Sequence, residues 1–119
     1  MSKILPLLAL AALAVMSCSG LTQQCQALKA KADKAAAAAE GNLKKDLTIQ
    51  EVRQMLGGPA EIITYSGEAE AQTWRYFVYP DCRKHLGIAA PNTELFFRGG
   101  RLQRWQVYQG PLRTPPEPK

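Results

Sequence analysis

The chemically reactive side chains of this chain are three cysteines, Cys18, Cys25 and Cys82, and a single histidine, His85. Cys82 and His85 stand in PDCRKH, close enough for a thiol and an imidazole to act as nucleophile and base, or as two metal ligands. Arg83 and Lys84 between them would favour the thiolate over the thiol. A zinc site, however, needs three or four ligands, and the sequence offers no second cluster of Cys and His. It also lacks a Gly-x-Ser-x-Gly elbow, a His-Glu-x-x-His helix and a glycine-rich phosphate loop. The residues predict no catalytic group, no metal and no cofactor, and a structural place for Cys82 and His85.

The element that positions Cys18 is an apolar run. Met1-Ser2-Lys3 is followed by ILPLLALAALAVM, Ile4 to Met16, which carries no charge. A membrane-spanning helix needs about 20 such residues, so this run is too short to cross. A cationic start, an apolar stretch and small residues at its end make a secretory signal, predicting that residues 1–17 are removed and the rest is exported to an oxidising compartment. Two cuts compete. Ala12-Leu13-Ala14 is a small-x-small site before Val15, whereas Val15-Met16-Ser17-Cys18 resembles a bacterial lipobox. The second requires a cysteine, because its thiol takes a diacylglycerol thioether and its freed amine is then acylated. Several acyl chains anchor a protein stably where one does not. In that class of protein an Asp after the cysteine directs retention in the inner membrane, so Ser19 implies the outer membrane. The competing role for Cys18 is a free or bridged thiol.

Parity bears on the choice. In an oxidising compartment three cysteines leave one over. With Cys18 lipidated, Cys25 and Cys82 remain as a pair, and bridging them would stabilise by up to about 4 kcal/mol on the chain-entropy model. The alternative is two separate buried thiols, since pairing depends on geometry that sequence does not supply.

The mature chain divides into a lipidated cysteine and Ala-rich helical spacer over 18–42, an α+β domain over 43–109 and a Pro-rich disordered tail over 110–119. Gln23 to Glu40 is rich in the best helix former and free of Gly and Pro. Leu21, Cys25, Leu28, Ala32, Ala35 and Ala39 share one face of that helix. Either this seam of small side chains lies on the domain, or the alanine-rich half is an exposed spacer between lipid and domain; the second reading is preferred. In DLTIQEVRQMLGGP, Thr48 and Glu51 form a capping box, Ile49, Val52, Met55 and Leu56 line one face, and Gly57-Gly58-Pro59 stops the helix with a left-handed glycine. Strands are expected over Glu61 to Tyr65, Thr73 to Tyr79, Glu94 to Arg98 and Leu102 to Tyr108, the last two joined at Gly99-Gly100. PDCRKHLGIAAPN reads as an irregular connection. The tail, with Pro111, Pro115, Pro116 and Pro118, should add nothing to the core. The expected fold is α+β: one or two N-terminal helices on a three- to four-stranded antiparallel sheet.

Charge excludes little. Fifteen Lys and Arg against ten Asp and Glu give a net charge of +5 over 119 residues, too weak a bias to imply nucleic acid. Arg98, Arg101 and Arg104 cluster around the Gly-Gly turn, where they could meet anionic lipid headgroups or an acidic protein patch, or simply keep a turn soluble and an edge unpaired. Trp74 and Trp105 are expected in the core, because a helix normally covers the aromatic face of a small sheet.

Lipobox cysteine, spacer, T-x-x-E-V-x-x-x-L-G-x-P at Thr48, Glu51, Val52, Leu56, Gly57 and Pro59, then Trp74-x-Tyr76, and finally Phe97, Gly100 and Leu102, together resemble the BamE (SmpA/OmlA) family of small outer-membrane lipoproteins. The Ala-rich segment, the Cys25 and Cys82 pair and the proline tail lie outside that pattern. The resemblance implies an α-α-β-β-β module like the β-lactamase-inhibitor-like domains. It also implies accessory support of the machine that inserts β-barrels into the outer membrane. The expected function is thus an outer-membrane-anchored periplasmic lipoprotein, non-catalytic, held to the membrane by its N-terminal lipid and binding envelope proteins such as the barrel-assembly complex. The alternative is an inhibitor-like module that caps an envelope enzyme with Trp74, Tyr76 or Trp105.

Overall fold

The computed structural model describes residues 4–67 and 70–114, with side chains from Gly20 onward. Seven elements follow one another: α1 (Ile4–Gly41), α2 (Ile49–Leu56), β1 (Glu61–Thr64), β2 (Gln72–Tyr76), α3 (Pro80–Leu86), β3 (Asn92–Arg98) and β4 (Arg101–Tyr108). The strands form one antiparallel sheet in chain order β1-β2-β3-β4. The helices pack on it, and the fold is α+β as expected.

Local chemistry explains the start and stop of α2. The Thr48 hydroxyl accepts from the Glu51 N–H at 3.1 Å, and the Glu51 carboxylate accepts from the Thr48 N–H at 3.0 Å. At the other end Gly57 caps the helix with its N–H on the Arg53 carbonyl. Its φ of 78° and ψ of −176° place it not in the left-handed helical conformation but in a region open essentially to glycine alone. Gly99 and Gly100 both have positive φ, which a tight turn between β3 and β4 requires.

The inner face of the sheet carries Trp74, Tyr76, Leu95, Phe97 and Leu102, all buried. Leu102 and Trp105 are an odd number of residues apart, so a regular strand would put them on opposite faces. A bulge resolves this. The register shifts between Phe96 and Phe97, which face Arg104 and Leu102, so Gln103 is the extra residue on β4. Trp105 thereby reaches the core cluster and donates its indole N–H to the Ala39 carbonyl at 3.2 Å.

Three further expectations are corrected. The alanine-rich half of α1 is not an exposed spacer: Ala32, Ala35 and Ala38 are buried, Ala35 and Ala38 within the main core. Their small side chains let the helix backbone approach the sheet, and the folded unit begins near Cys25 instead of Leu43. The connection after β2 is not irregular. It holds α3, with Pro80 in its first turn and Gly87 left-handed at its C-terminal cap, an asymmetry typical of helix ends; β2 accordingly stops at Tyr76, short of Tyr79. Finally, the first part of the tail is folded. The Gly110 carbonyl accepts from Asn92 Nδ2, the Arg113 N–H donates to the Tyr108 hydroxyl, and Arg75 Nη2 donates to the Arg113 carbonyl. Residues 115–119 lie outside the described residues.

Candidate functional site

Cys25 of α1 and Cys82 of α3 are joined by a disulfide, with Cα atoms 5.7 Å apart and a sequence separation of 57. Cys25 lies on the buried side of α1 because it shares the seam of Ala32 and Ala35. Cys82 lies on the buried side of a helix too short to be stable by itself. The bridge therefore sets α3 against α1, and both sulfurs sit in a small second core with Ala32, Val78 and Ala90.

On the solvent side of the bridge, α1 and α3 leave a cleft of about 640 Å³. Leu21 and Leu28 line it from α1, Tyr79 and Leu86 from the α3 side, and both bridged cysteines belong to its lining. Leu21, Tyr79 and Leu86 are three of the five large hydrophobic side chains that the described residues leave exposed, at 62%, 47% and 39%. Apolar surface is thus concentrated here and not scattered, which marks a binding site more than ordinary surface. Asp81, His85 and Lys31 also line the cleft. Nothing in the sequence reading anticipated it, although Pro80 and Gly87 were a legible signal for the helix that lines it together with α1.

Cys82 and His85 do share this cleft, but the bridged sulfur is neither a nucleophile nor a thiolate ligand. Among the described residues no three of His, Cys, Asp or Glu converge on a point where a metal could sit.

Of the three arginines around the hairpin turn, two share a contact and the third makes another. The Arg98 and Arg104 guanidinium groups both lie over the Phe96 ring, 5.7 and 4.3 Å from its centre. Arg101, directly opposite Arg98 in the register, donates instead to the Asp46 carbonyl at 3.0 Å. That bond helps hold the segment before α2 along the edge of β4, where Asp46 N–H meets the Leu102 carbonyl and Leu102 N–H meets the Leu47 carbonyl. Arg98 and Arg104 therefore present one cationic surface on the outer sheet face, with Arg101 at its border.

That outer face holds a second feature that sequence reasoning missed. Arg75 lies buried between Glu61 and Glu94, with Nη1 on Glu61 and Nε on Glu94, each at 2.9 Å. Burial by itself would lower the Arg75 pKa; its bonds to Tyr108, Glu61 and Glu94 outweigh this and raise it. On the inner face, burial pushes the Tyr76 hydroxyl up, and the nearby Arg53 opposes this only in part. That hydroxyl donates to the Gly57 carbonyl at 2.8 Å. Trp74 and Tyr76 are closed to solvent and Trp105 is half-buried against the core.

The Cys18 position falls within α1, but its side chain, like those of residues 1–17, lies outside the described residues. Among the described residues no helix is long and apolar enough to cross a membrane. No protein-family model, no curated protein and no solved structure matches the chain.

Proposed function

We propose that the protein is a periplasmic lipoprotein, anchored to the outer membrane through lipid on Cys18, and that it acts as a non-catalytic module binding envelope proteins. The observation that carries this reading is the Cys25–Cys82 disulfide. It takes two of the three cysteines and leaves Cys18, the one at the end of the apolar run in Val15-Met16-Ser17-Cys18. A disulfide also suits an exported chain. The BamE-like pattern, which runs through the α2 capping box, Trp74, Tyr76 and the β3–β4 turn, supports the barrel-assembly complex as the partner. The cationic surface of Arg98 and Arg104 is the face suited to an acidic patch on that partner or to anionic headgroups.

The test is metabolic labelling with radioactive palmitate, followed by purification from mild detergent. Label should appear in the full chain and vanish in Cys18→Ser, which should also leave the membrane fraction. Barrel-assembly components should co-purify with the full chain and be lost with Arg104→Glu. An unlabelled protein would end the lipoprotein reading; a labelled one without those components would end the choice of partner.

A further inference from the structure

We propose that the cleft between α1 and α3 is an acyl-chain site, and that its occupant is a fatty chain carried by Cys18 of the same molecule. The inference rests on the lipoprotein reading and goes beyond it, because membrane anchoring alone requires no site on the protein.

The first argument is register. Leu21, Cys25 and Leu28 are residues through which α1 lines the cleft. Cys18 precedes Leu21 along the same helix, and the positions 18, 21, 25 and 28 advance by the alternating steps of three and four that return to one side of a helix. At the usual rise, Cys18 stands about 4.5 Å along the axis from Leu21. The attachment position therefore continues, one step beyond Leu21, the line of α1 positions that borders the cleft.

The second argument is chemistry. An acyl chain is long, narrow and without hydrogen-bonding groups. The cleft between α1 and α3 is lined mainly by apolar groups, Leu21, Leu28, Tyr79, Leu86 and the bridged cysteines, with Lys31, Asp81 and His85 among them as the charged or polar groups that an acyl chain would not use. Its volume of about 640 Å³ falls among those of pockets that hold small ligands, roughly 300–1,000 Å³.

The third argument is the tether. A chain bound to Cys18 meets the cleft at the high effective concentration of a short linker, of millimolar order, whereas a free phospholipid must first leave its bilayer. A bilayer interior is as dry as the cleft, so an anchored protein gains little by withdrawing a chain. The cleft matters once the anchor is out of the bilayer. There one chain and the exposed Leu21, Tyr79 and Leu86 remove each other from water.

The experiment uses the full chain in cells fed a palmitate that carries a diazirine. The labelled protein is purified and freed of detergent, so that its anchor is out of any bilayer, and is then irradiated and digested, and its peptides are read by mass spectrometry. The expected product is a probe-bearing Cys18 peptide covalently joined to the peptide of Leu28 or of Leu86. Leu86→Asp should lower its yield about tenfold or more, because the carboxylate loses water against the chain. Leu86 is exposed, so the substitution spares the core, and an intact Cys25–Cys82 bridge checks this. Probe on Cys18 joined only to lipid or to other proteins overturns the acyl site and leaves the lipoprotein reading standing. Adducts at Leu28 or Leu86 that carry a glycerophosphate mass, with no Cys18-linked product, assign the cleft to phospholipid and overturn the tethered occupant. No probe on Cys18 at all removes both readings.

Discussion

Arg75 on β2 donates from Nε to Glu94 Oε2 on β3 at 2.9 Å, with both side chains all but closed to solvent, at 4% and 3% exposure. The two are direct partners in the register. Glu94 also accepts from the Tyr108 hydroxyl at 3.0 Å and from Gln106 Nε2 at 2.7 Å. Arg75 also reaches Glu61 and the Arg113 carbonyl. A buried ion pair holds only when its remaining donors and acceptors are met in this way, and removing one partner strands the other. Glu94→Gln should therefore destabilise the fold by about 3 kcal/mol, the low end for a broken buried pair, as read by urea denaturation. Replacing Arg75 with Met and Glu94 with Leu together should cost much less than the single change.

The burial of Ala35 gives a sharp test of how α1 sits. Ala35 is closed to solvent, while Ala37, two residues on, is exposed. Ala35→Leu should cost about 1–3 kcal/mol, because the helix cannot approach the sheet around the added carbons. Ala37→Leu should leave the thermal midpoint nearly unchanged. Equal effects would mean that the helix is not seated through its alanines.

Replacing Cys25 and Cys82 together by Ser should lower stability by up to about 4 kcal/mol, the chain-entropy figure for a loop of this length. The effect should be matched by reducing agent on the unaltered protein. Protease cutting within α3 should rise first, since that helix is held to α1 by the bridge.

The Glu51 carboxyl is held below its ordinary pKa of 4.5, first by the Thr48 N–H, then by the Thr48 side chain, with Arg101 adding a smaller push and burial opposing slightly. A lowered folded-state pKa means that the unfolded chain takes up the proton first. The contribution of Glu51 is therefore complete above about pH 4.5 and is lost as pH falls through the folded value. Glu51→Gln should remove that part of the acid sensitivity, so that the stability curves of the two proteins converge at low pH. Thr48→Ala should cost about 1 kcal/mol at neutral pH by removing the cap.

Cutting the chain after Gln109 should also weaken the fold. It removes the Gly110 carbonyl from Asn92, itself 1% exposed, and the Arg113 carbonyl from Arg75. Stranded polar groups of this kind cost about 1–3 kcal/mol each, and urea unfolding of the shortened chain would register the loss.

Local pattern made much of the fold legible. The Thr48-x-x-Glu51 box, the apolar steps Val52 and Leu56, the alternation of Trp74 and Tyr76 and the Gly99-Gly100 turn each act over a few residues, and each appears where the sequence puts it. The misreadings have one cause. An alanine helix looks the same on paper whether its small side chains face water or a sheet, so Ala32, Ala35 and Ala38 could be placed only by what packs on them. Pro80 and Gly87 did announce α3, but a helix of seven residues stands only against a neighbour. The tail composition suggested an extended end, and nothing in it predicted that Gly110 and Arg113 would complete the hydrogen bonds of Asn92 and Arg75.

What the sequence determined by itself is the local elements other than α3, the candidate lipid attachment at Cys18, and the parity that leaves Cys25 and Cys82 as a pair. Tertiary structure alone decided that the pair closes, because a disulfide needs two Cα atoms a few ångströms apart and only packing brings α1 and α3 that near. It also decided the bulge at Gln103, which turns Leu102 and Trp105 to the same face, and the partner of Arg75. The cleft belongs to neither helix: Leu21 and Leu86 are ordinary exposed leucines until the bridge brings them to one cleft.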